Sequence, residues 1–300
     1  MKVDITGITA ENICIIKEKL NGDFKPSVLM AYDHTGSNQN LYKLIKHPEL
    51  YSSLKIDSGT FTLNMKGQFE YHEDKFQVYC SFIELFKNEI GFYINFDAVF
   101  NGENAFPVNK MYQERMEQIG LNPVYVMHSF EDYEINYVIG KKPRMVAIAS
   151  AMLKKMEEFK KAVAVVDKMH ANGILVHLLG CSSYKRLTMA IRAWSCDASS
   201  YARWASLNRI IFYSEREGKE VTLARHKHTR TGNINKDYIF NTSMSQRLKE
   251  YEQFIKPLYT IDEILYDNKA LVNANAYSMY SLEKRITEMQ NNKHIDFPEP

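Results

Sequence analysis

The chain is expected to be an α/β protein, a TIM-type (β/α)8 barrel carrying additional C-terminal helices. Short β-prone runs recur along it, each closed by polar or small turn residues, and most are followed by a longer stretch with helical periodicity. No low-complexity linker, Gly/Ser-rich tract or internal repeat divides the chain. The runs are short and apolar, as expected for parallel strands buried on both faces. Roughly eight such units favour a closed barrel, although the pattern alone also admits an open doubly wound sheet.

The opening helix is marked by Thr9 as N-cap, with Ile13, Ile16 and Leu20 on one face and Asn21-Gly22 as the stop. Candidate strands then follow at Val28–Tyr32, Leu54–Asp57, Gly91–Asp97, Pro123–His128, Met145–Ala149, Ile174–Leu179 and Ala193–Asp197, with Arg209–Tyr213 as a further candidate. Helical periodicity marks Glu73–Asn88, Asn109–Ile119, Ala151–His170 and Ser183–Arg192. Beyond about Asn241 long helices take over, at Ser243–Ile255 and Ile261–Met289. The expected organisation is therefore a catalytic barrel over residues 1–240 and a helical extension over 241–300 packed on it.

Composition excludes little but is informative. The 300 residues, 45% hydrophobic and 25% charged, match an ordinary globular chain. A net charge of +2 announces no global basic field, so any nucleic-acid surface must be local. Cys14, Cys80, Cys181 and Cys196 form no CxxC or Cys-His cluster and read as reduced thiols. No run approaches the ~18 apolar residues of a membrane span, and the N-terminus has no apolar signal region. A cytoplasmic protein without a membrane partner is expected.

Two aspartates carry the chemistry. Asp57 lies in Lys55-Ile56-Asp57-Ser58-Gly59-Thr60-Phe61, and Asp197 lies in Trp194-Ser195-Cys196-Asp197-Ala198-Ser199-Ser200. Each closes a β-prone run and opens into turn residues, the place where a β/α enzyme presents side chains to a ligand. Carboxylates on separate strand ends can divide labour as nucleophile and general base.

Further segments accompany them in order: Asn95-Phe96-Asp97, Pro123-Val124-Tyr125-Val126-Met127-His128, Val176-His177-Leu178-Leu179-Gly180, and Arg203 six residues beyond Asp197. Together with Asp57-Ser58-Gly59-Thr60-Phe61 they resemble the ordered motifs of the tRNA-guanine transglycosylase superfamily, over roughly Val28 to Asn208. The resemblance is nearest to the phage and bacterial enzymes that place 7-deazaguanines in DNA. Three departures stand out. The family's Gly-Gly is Ala149-Ser150 after Ile148, its second motif glycine is Thr60, and Met127-His128 occupies the region where many tRNA enzymes carry glutamine. The Cys-rich zinc site of the tRNA enzymes has no counterpart, since no cysteine follows Arg203.

The resemblance implies a pentosyltransferase without cofactor or metal. Asp197 would be the nucleophile on the sugar and Asp57 the general acid/base. Asp97, Ser58, Gly59, His128, Ala149, Ser150 and Gly180 would contact the base. The implied partners are DNA with a flipped or single-stranded guanine and a 7-deazaguanine such as preQ0. A homodimer is a further expectation, because subunit pairing is common in that family. Phosphate contacts are expected from Arg203, Arg225, Lys227 and Arg230, with Lys141-Lys142-Pro143-Arg144 and Lys185-Arg186 as further candidates. Phe61, Tyr93 and Tyr201 are candidates for stacking on the base.

Plainer readings stand beside these. Asp57-Ser58-Gly59 is also an Asx turn, Asp197 also a helix N-cap, and Asp97 also a cap of the next segment. His128 and His177 sit in apolar runs and read as core or rim histidines, and Lys154–Lys161 as a solvated helix face. As a whole, the chain could instead be a tRNA-guanine transglycosylase, a non-catalytic purine or nucleic-acid binder, or a two-carboxylate glycoside hydrolase.

Overall fold

A computed structural model describes residues 1–64, 72–99, 105–227, 238–240 and 245–298, the side chains of 62, 64, 226, 227, 238–240 and 245 excepted. In chain order the elements begin β1 (Lys2–Thr6), α1 (Ala10–Lys19), β2 (Ser27–Ala31), α2 (Gln39–Lys46), β3 (Ser53–Asp57), α3 (Thr60–Asn64), α4 (Glu73–Phe86) and β4 (Phe92–Tyr93). They continue through α5 (Ala105–Gln118), β5 (Tyr125–Met127), α6 (Asp132–Lys141), β6 (Met145–Ile148), α7 (Met156–Ala171), β7 (Leu175–Leu178), α8 (Tyr184–Met189), β8 (Ser195–Ala198) and α9 (Ser200–Ser206). Last come β9 (Arg209–Ser214), β10 (Lys219–Lys227), β11 (Tyr238–Phe240), α10 (Ser245–Ile255), α11 (Ile261–Tyr266) and α12 (Asn268–Asn292).

β1 to β8 form one parallel sheet of eight strands in the order β4-β3-β2-β1-β8-β7-β6-β5. Its two edges meet where Ile94 bridges Val124, with Val124 N–H donating to the Tyr93 carbonyl at 2.8 Å and Asn95 N–H to the Val124 carbonyl at 2.9 Å. The sheet thus closes on itself with strands in sequence order, which is the (β/α)8 barrel. β5 and β7 are buried along their whole length, as a sheet covered by helices requires.

The helices follow their local signals. Thr9 accepts the Asn12 N–H at 3.1 Å and caps α1, whose Ile13 and Ile16 are buried against the barrel. Thr260 and Glu263 form a capping box at α11. α12 belongs to the barrel wall, packing on β1, α9 and β9. Asn12 donates to Asn273 at 2.5 Å, Gln290 to the carbonyls of Ile191 and Ala193 at 2.7 and 3.0 Å, and Asn275 to the Arg209 carbonyl at 2.9 Å. Among the described residues no helix is long and apolar enough to cross a membrane.

Two expectations need correction. Arg209–Tyr213 is no barrel strand: β9 pairs antiparallel with β10, which pairs antiparallel with β11 in a separate sheet. The remaining barrel strand is β1, whose Lys2-Val3-Asp4-Ile5-Thr6 run is unusually polar because Asp4 points into the barrel and pairs with Lys55 of β3. The helix expected over Ile261–Met289 is broken at Asp267, which leaves helical backbone and caps α12 through the Lys269 N–H at 2.7 Å.

Candidate active site

A cavity of about 300 Å3 opens at the carboxyl ends of the barrel strands. Its lining includes Asp57, Asp97 and Asp197, which the chain brings from β3, the segment after β4, and β8. A larger cavity, about 680 Å3, lies at the amino ends around Lys55, Phe92, Arg144 and Trp194. The aspartates face the smaller one, at the end where β/α barrels carry their chemistry.

Asp57 is the last residue of β3. Its carboxylate accepts the Gly59 N–H at 2.7 Å, so the Asx turn and the site occupy the same residues. Gly59 sits at φ +72°, and a Cβ there would overlap the Tyr32 carbonyl oxygen, so no other residue fits. Burial, and then the neighbouring carboxylate of Asp97, push the Asp57 carboxyl from 3.8 up to about 7; the Gly59 N–H opposes this and Asp197 adds to it. The side chain keeps a window onto the cavity, yet it is densely walled by protein, and the wall dominates.

Asp197, only 5% exposed, is held differently. Oδ1 accepts the Gly180 N–H at 2.5 Å, and Oδ2 accepts the Thr6 hydroxyl at 2.8 Å. Gly180 itself takes φ +65° at the turn after β7, which aims its N–H at the carboxylate. Both carboxylate oxygens are thereby fixed in place by donors from the neighbouring strands.

Asp97 completes the set. Its Oδ1 accepts the hydroxyls of Ser58 and Thr60, each at 2.8 Å, while Oδ2 stands 3.5 Å from His128 Nε2. The loop carrying His128 is clamped by the buried Glu134 of α6. That carboxylate accepts from the N–H groups of His128 and Ser129 at 3.1 and 2.7 Å and from the Tyr125 hydroxyl at 2.8 Å.

Of the expected base-contacting residues, Asp97, Gly59, His128, Ala149, Ser150 and Gly180 line the cavity. Ser58 does not; fully buried, it orients Asp97 from behind. Phe61 stands at the cavity with 58% of its surface exposed. Tyr93 lies at the opposite end, accepting the Asn122 N–H at 2.6 Å, and Tyr201 is buried in α9, so neither can stack on a ligand here.

The expected phosphate contacts divide. Arg203 is exposed on α9 but does not line the cavity. Arg225 is a correction: it is 5% exposed and donates to the carbonyls of Ile264 and Leu265 at 3.2 and 3.0 Å and to Asn208 and Asn268 at 2.6 and 2.5 Å. It ties the β-hairpin to the α11–α12 corner and presents no charge to solvent. Arg230 and the side chain of Lys227 lie outside the described residues. Lys141 pairs with Glu117 at 2.8 Å, and Arg144 lines the amino-end cavity, so that basic run is on the wrong side. Arg186 donates to the Lys154 carbonyl at 2.6 Å beside the carboxyl-end cavity.

Three contributors escape the sequence reading. Thr6 was hidden because β1 itself was missed. Lys154, expected on a solvated helix face, lines the cavity from the turn after β6; its position just beyond a strand's carboxyl end is the signal that could have found it. Glu134 looks like any helix-surface acid until the loop folds onto it. Among the described residues no three His, Cys, Asp or Glu side chains are grouped to hold a metal.

No protein-family model matches the chain, and no curated protein matches it in sequence.

Proposed function

We propose that this cavity exchanges a guanine in DNA for a 7-deazaguanine of the preQ0 type, through a covalent sugar ester on Asp197. The observation that carries the reading is the division between two carboxyls facing one cavity: Asp197 held by Thr6 and Gly180, Asp57 raised to about 7. A nucleophile must be ionised, and a proton relay must hold and release a proton near neutral pH.

In the first displacement an Asp197 oxygen attacks C1′ while the C1′–N9 bond breaks. The electron pair goes to N9, which takes the proton from Asp57. The entering base then returns its N9 proton to Asp57, attacks C1′, and releases Asp197. One base leaves and one enters, no water or oxidant is consumed, and two inversions retain the anomeric configuration.

Asp97 supplies selectivity. With Oδ1 taken by Ser58 and Thr60, Oδ2 is the oxygen for the N1–H and exocyclic amine of a guanine-like edge. Adenine would leave a buried carboxylate facing no donor, which is costly. A cavity of about 300 Å3 suits one flipped nucleotide rather than a strand. Phe61 and the apolar walls of Leu29, Leu179 and Ala149 can take the faces of the base, and Lys154 its phosphate. DNA is favoured over tRNA because no cysteine follows Arg203, so the zinc site of the tRNA enzymes that the motifs resemble has no ligands.

Incubation with labelled guanine and either single-stranded DNA or tRNA tests this. Incorporation into DNA is expected, and incorporation into tRNA alone would reverse the choice of substrate. Base release without incorporation would indicate a hydrolase, and binding without either would indicate a non-catalytic barrel.

A further inference from the structure

The barrel interior beneath the cavity floor holds ionisable side chains. Asp4 of β1, Lys55 of β3 and His177 of β7 are at most 4% exposed. The parallel register sets Asp4 beside Asp197 and His177 beside Ser195, and residues two apart on β8 share a face. Lys55 pairs with Asp4 Oδ1 and lies 5.0 Å over the Phe92 ring. The His177 imidazole meets the same ring edge-on at 5.3 Å. Its Nδ1 is 2.7 Å from Ser195 Oγ and 3.8 Å from Asp4 Oδ2, and its Nε2 is 3.6 Å from Asp197 Oδ1. That Nε2 is buried with no hydrogen-bond partner, a costly arrangement that calls for a reason.

We infer that His177 is a positioning residue that stabilises Asp197 as the departing carboxylate, and so governs how readily the sugar ester is released. The inference rests on the transglycosylase reading above. The Ser195 hydroxyl donates to Nδ1, because the reverse would turn the Nε2 lone pair toward a carboxylate. Nε2–H therefore faces Asp197. The ring faces Asp4, Asp197, Ser195 and Phe92, and Asp197 is the carboxylate on its Nε2 side.

Thr6 and Gly180 already hold Asp197 at hydrogen-bonding distance, whereas His177 stands just beyond it. A donor to a carboxylate favours the free anion over the uncharged ester. As C1′–O breaks and negative charge returns to Asp197, the imidazole has under an ångström to close. His177 thereby shifts the balance from covalent adduct toward free enzyme and speeds the second displacement more than the first.

The test follows the adduct. The full chain is mixed with guanine-containing single-stranded DNA and quenched, and the covalent fraction and its decay on adding free guanine are read by intact mass. His177→Met removes the N–H at similar volume, and should lengthen adduct lifetime about tenfold, the loss of one charge-assisted hydrogen bond. Formation of the adduct should change little, and His177→Gln, which keeps an N–H, should restore decay. Unchanged lifetime in His177→Met, or equal slowing of formation and decay, overturns the inference while leaving the transglycosylase reading intact. A wild type that forms no adduct removes that reading and this inference with it. Should His177→Met fail to fold, Ser195→Ala carries the test: releasing Nδ1 should lengthen the lifetime, and an unchanged lifetime counts against the proposal.

Discussion

Replacing Asp57 with asparagine separates what this residue costs the fold from what it does. The folded protein holds the Asp57 proton more tightly than the unfolded chain, since burial and Asp97 raise the carboxyl from 3.8 to about 7. Between those two values the folded state binds more protons, so stability falls as pH rises through them, and above about 7 the whole loss persists. At about 1.4 kcal/mol per pH unit the gap corresponds to on the order of 4 kcal/mol, which water in the cavity trims to roughly 2–4 kcal/mol. Asparagine keeps an oxygen for the Gly59 N–H and has no charge to desolvate. Asp57→Asn should therefore melt roughly 4–8 °C above the wild type at pH 8, taking roughly 2 °C per kcal/mol for a chain of this size, with the difference closing toward pH 4. Glu220 is likewise pushed up to about 7 by burial, so the difference between variant and wild type, not the wild-type curve alone, isolates Asp57. Thermal unfolding by circular dichroism from pH 4 to 8 provides the reading, with guanine exchange measured on the same samples and expected to vanish. A variant less stable than wild type at pH 8, or a difference independent of pH, would refute the electrostatic account.

Three further outcomes follow from the geometry. Gly59→Ala should abolish exchange and lower the melting temperature, because the added carbon meets the Tyr32 carbonyl at a positive φ; wild-type behaviour would contradict the turn as described. Ser58→Ala combined with Thr60→Ala should raise the KM for guanine about tenfold or more through loss of the two hydroxyls that hold Asp97, with a smaller effect on kcat. Arg225→Met should destabilise by about 3 kcal/mol in denaturant unfolding while leaving the salt dependence of DNA binding unchanged; a flatter salt dependence would return Arg225 to the phosphate contacts.

Much of the barrel was legible because parallel strands buried on both faces read as apolar runs, as at Val146 and Val176. β1 escaped because Lys2 and Asp4 interrupt its apolar pattern, and buried Asp4 is paired with Lys55, a partner 51 positions away. Arg209–Tyr213 misled for the opposite reason: its burial against α12 makes a hairpin strand look like a barrel strand. The three aspartates were legible because each sits at a strand end before turn residues. Arg225 was not, since a basic run on paper says nothing about which side chain turns inward to meet the helix carbonyls. The donors on Asp197 come from Thr6, at the other end of the chain, and from Gly180, and the pairing of β8 with β1 and β7 brings them together.

The most direct measurement is the site of attachment. Wild-type protein quenched with guanine-containing single-stranded DNA, digested and sequenced by mass spectrometry, should carry a deoxyribose adduct on the peptide holding Asp197, and Asp197→Asn should carry none. An adduct on another residue, or guanine exchange undiminished in Asp197→Asn, would contradict the assignment of this carboxylate as the nucleophile.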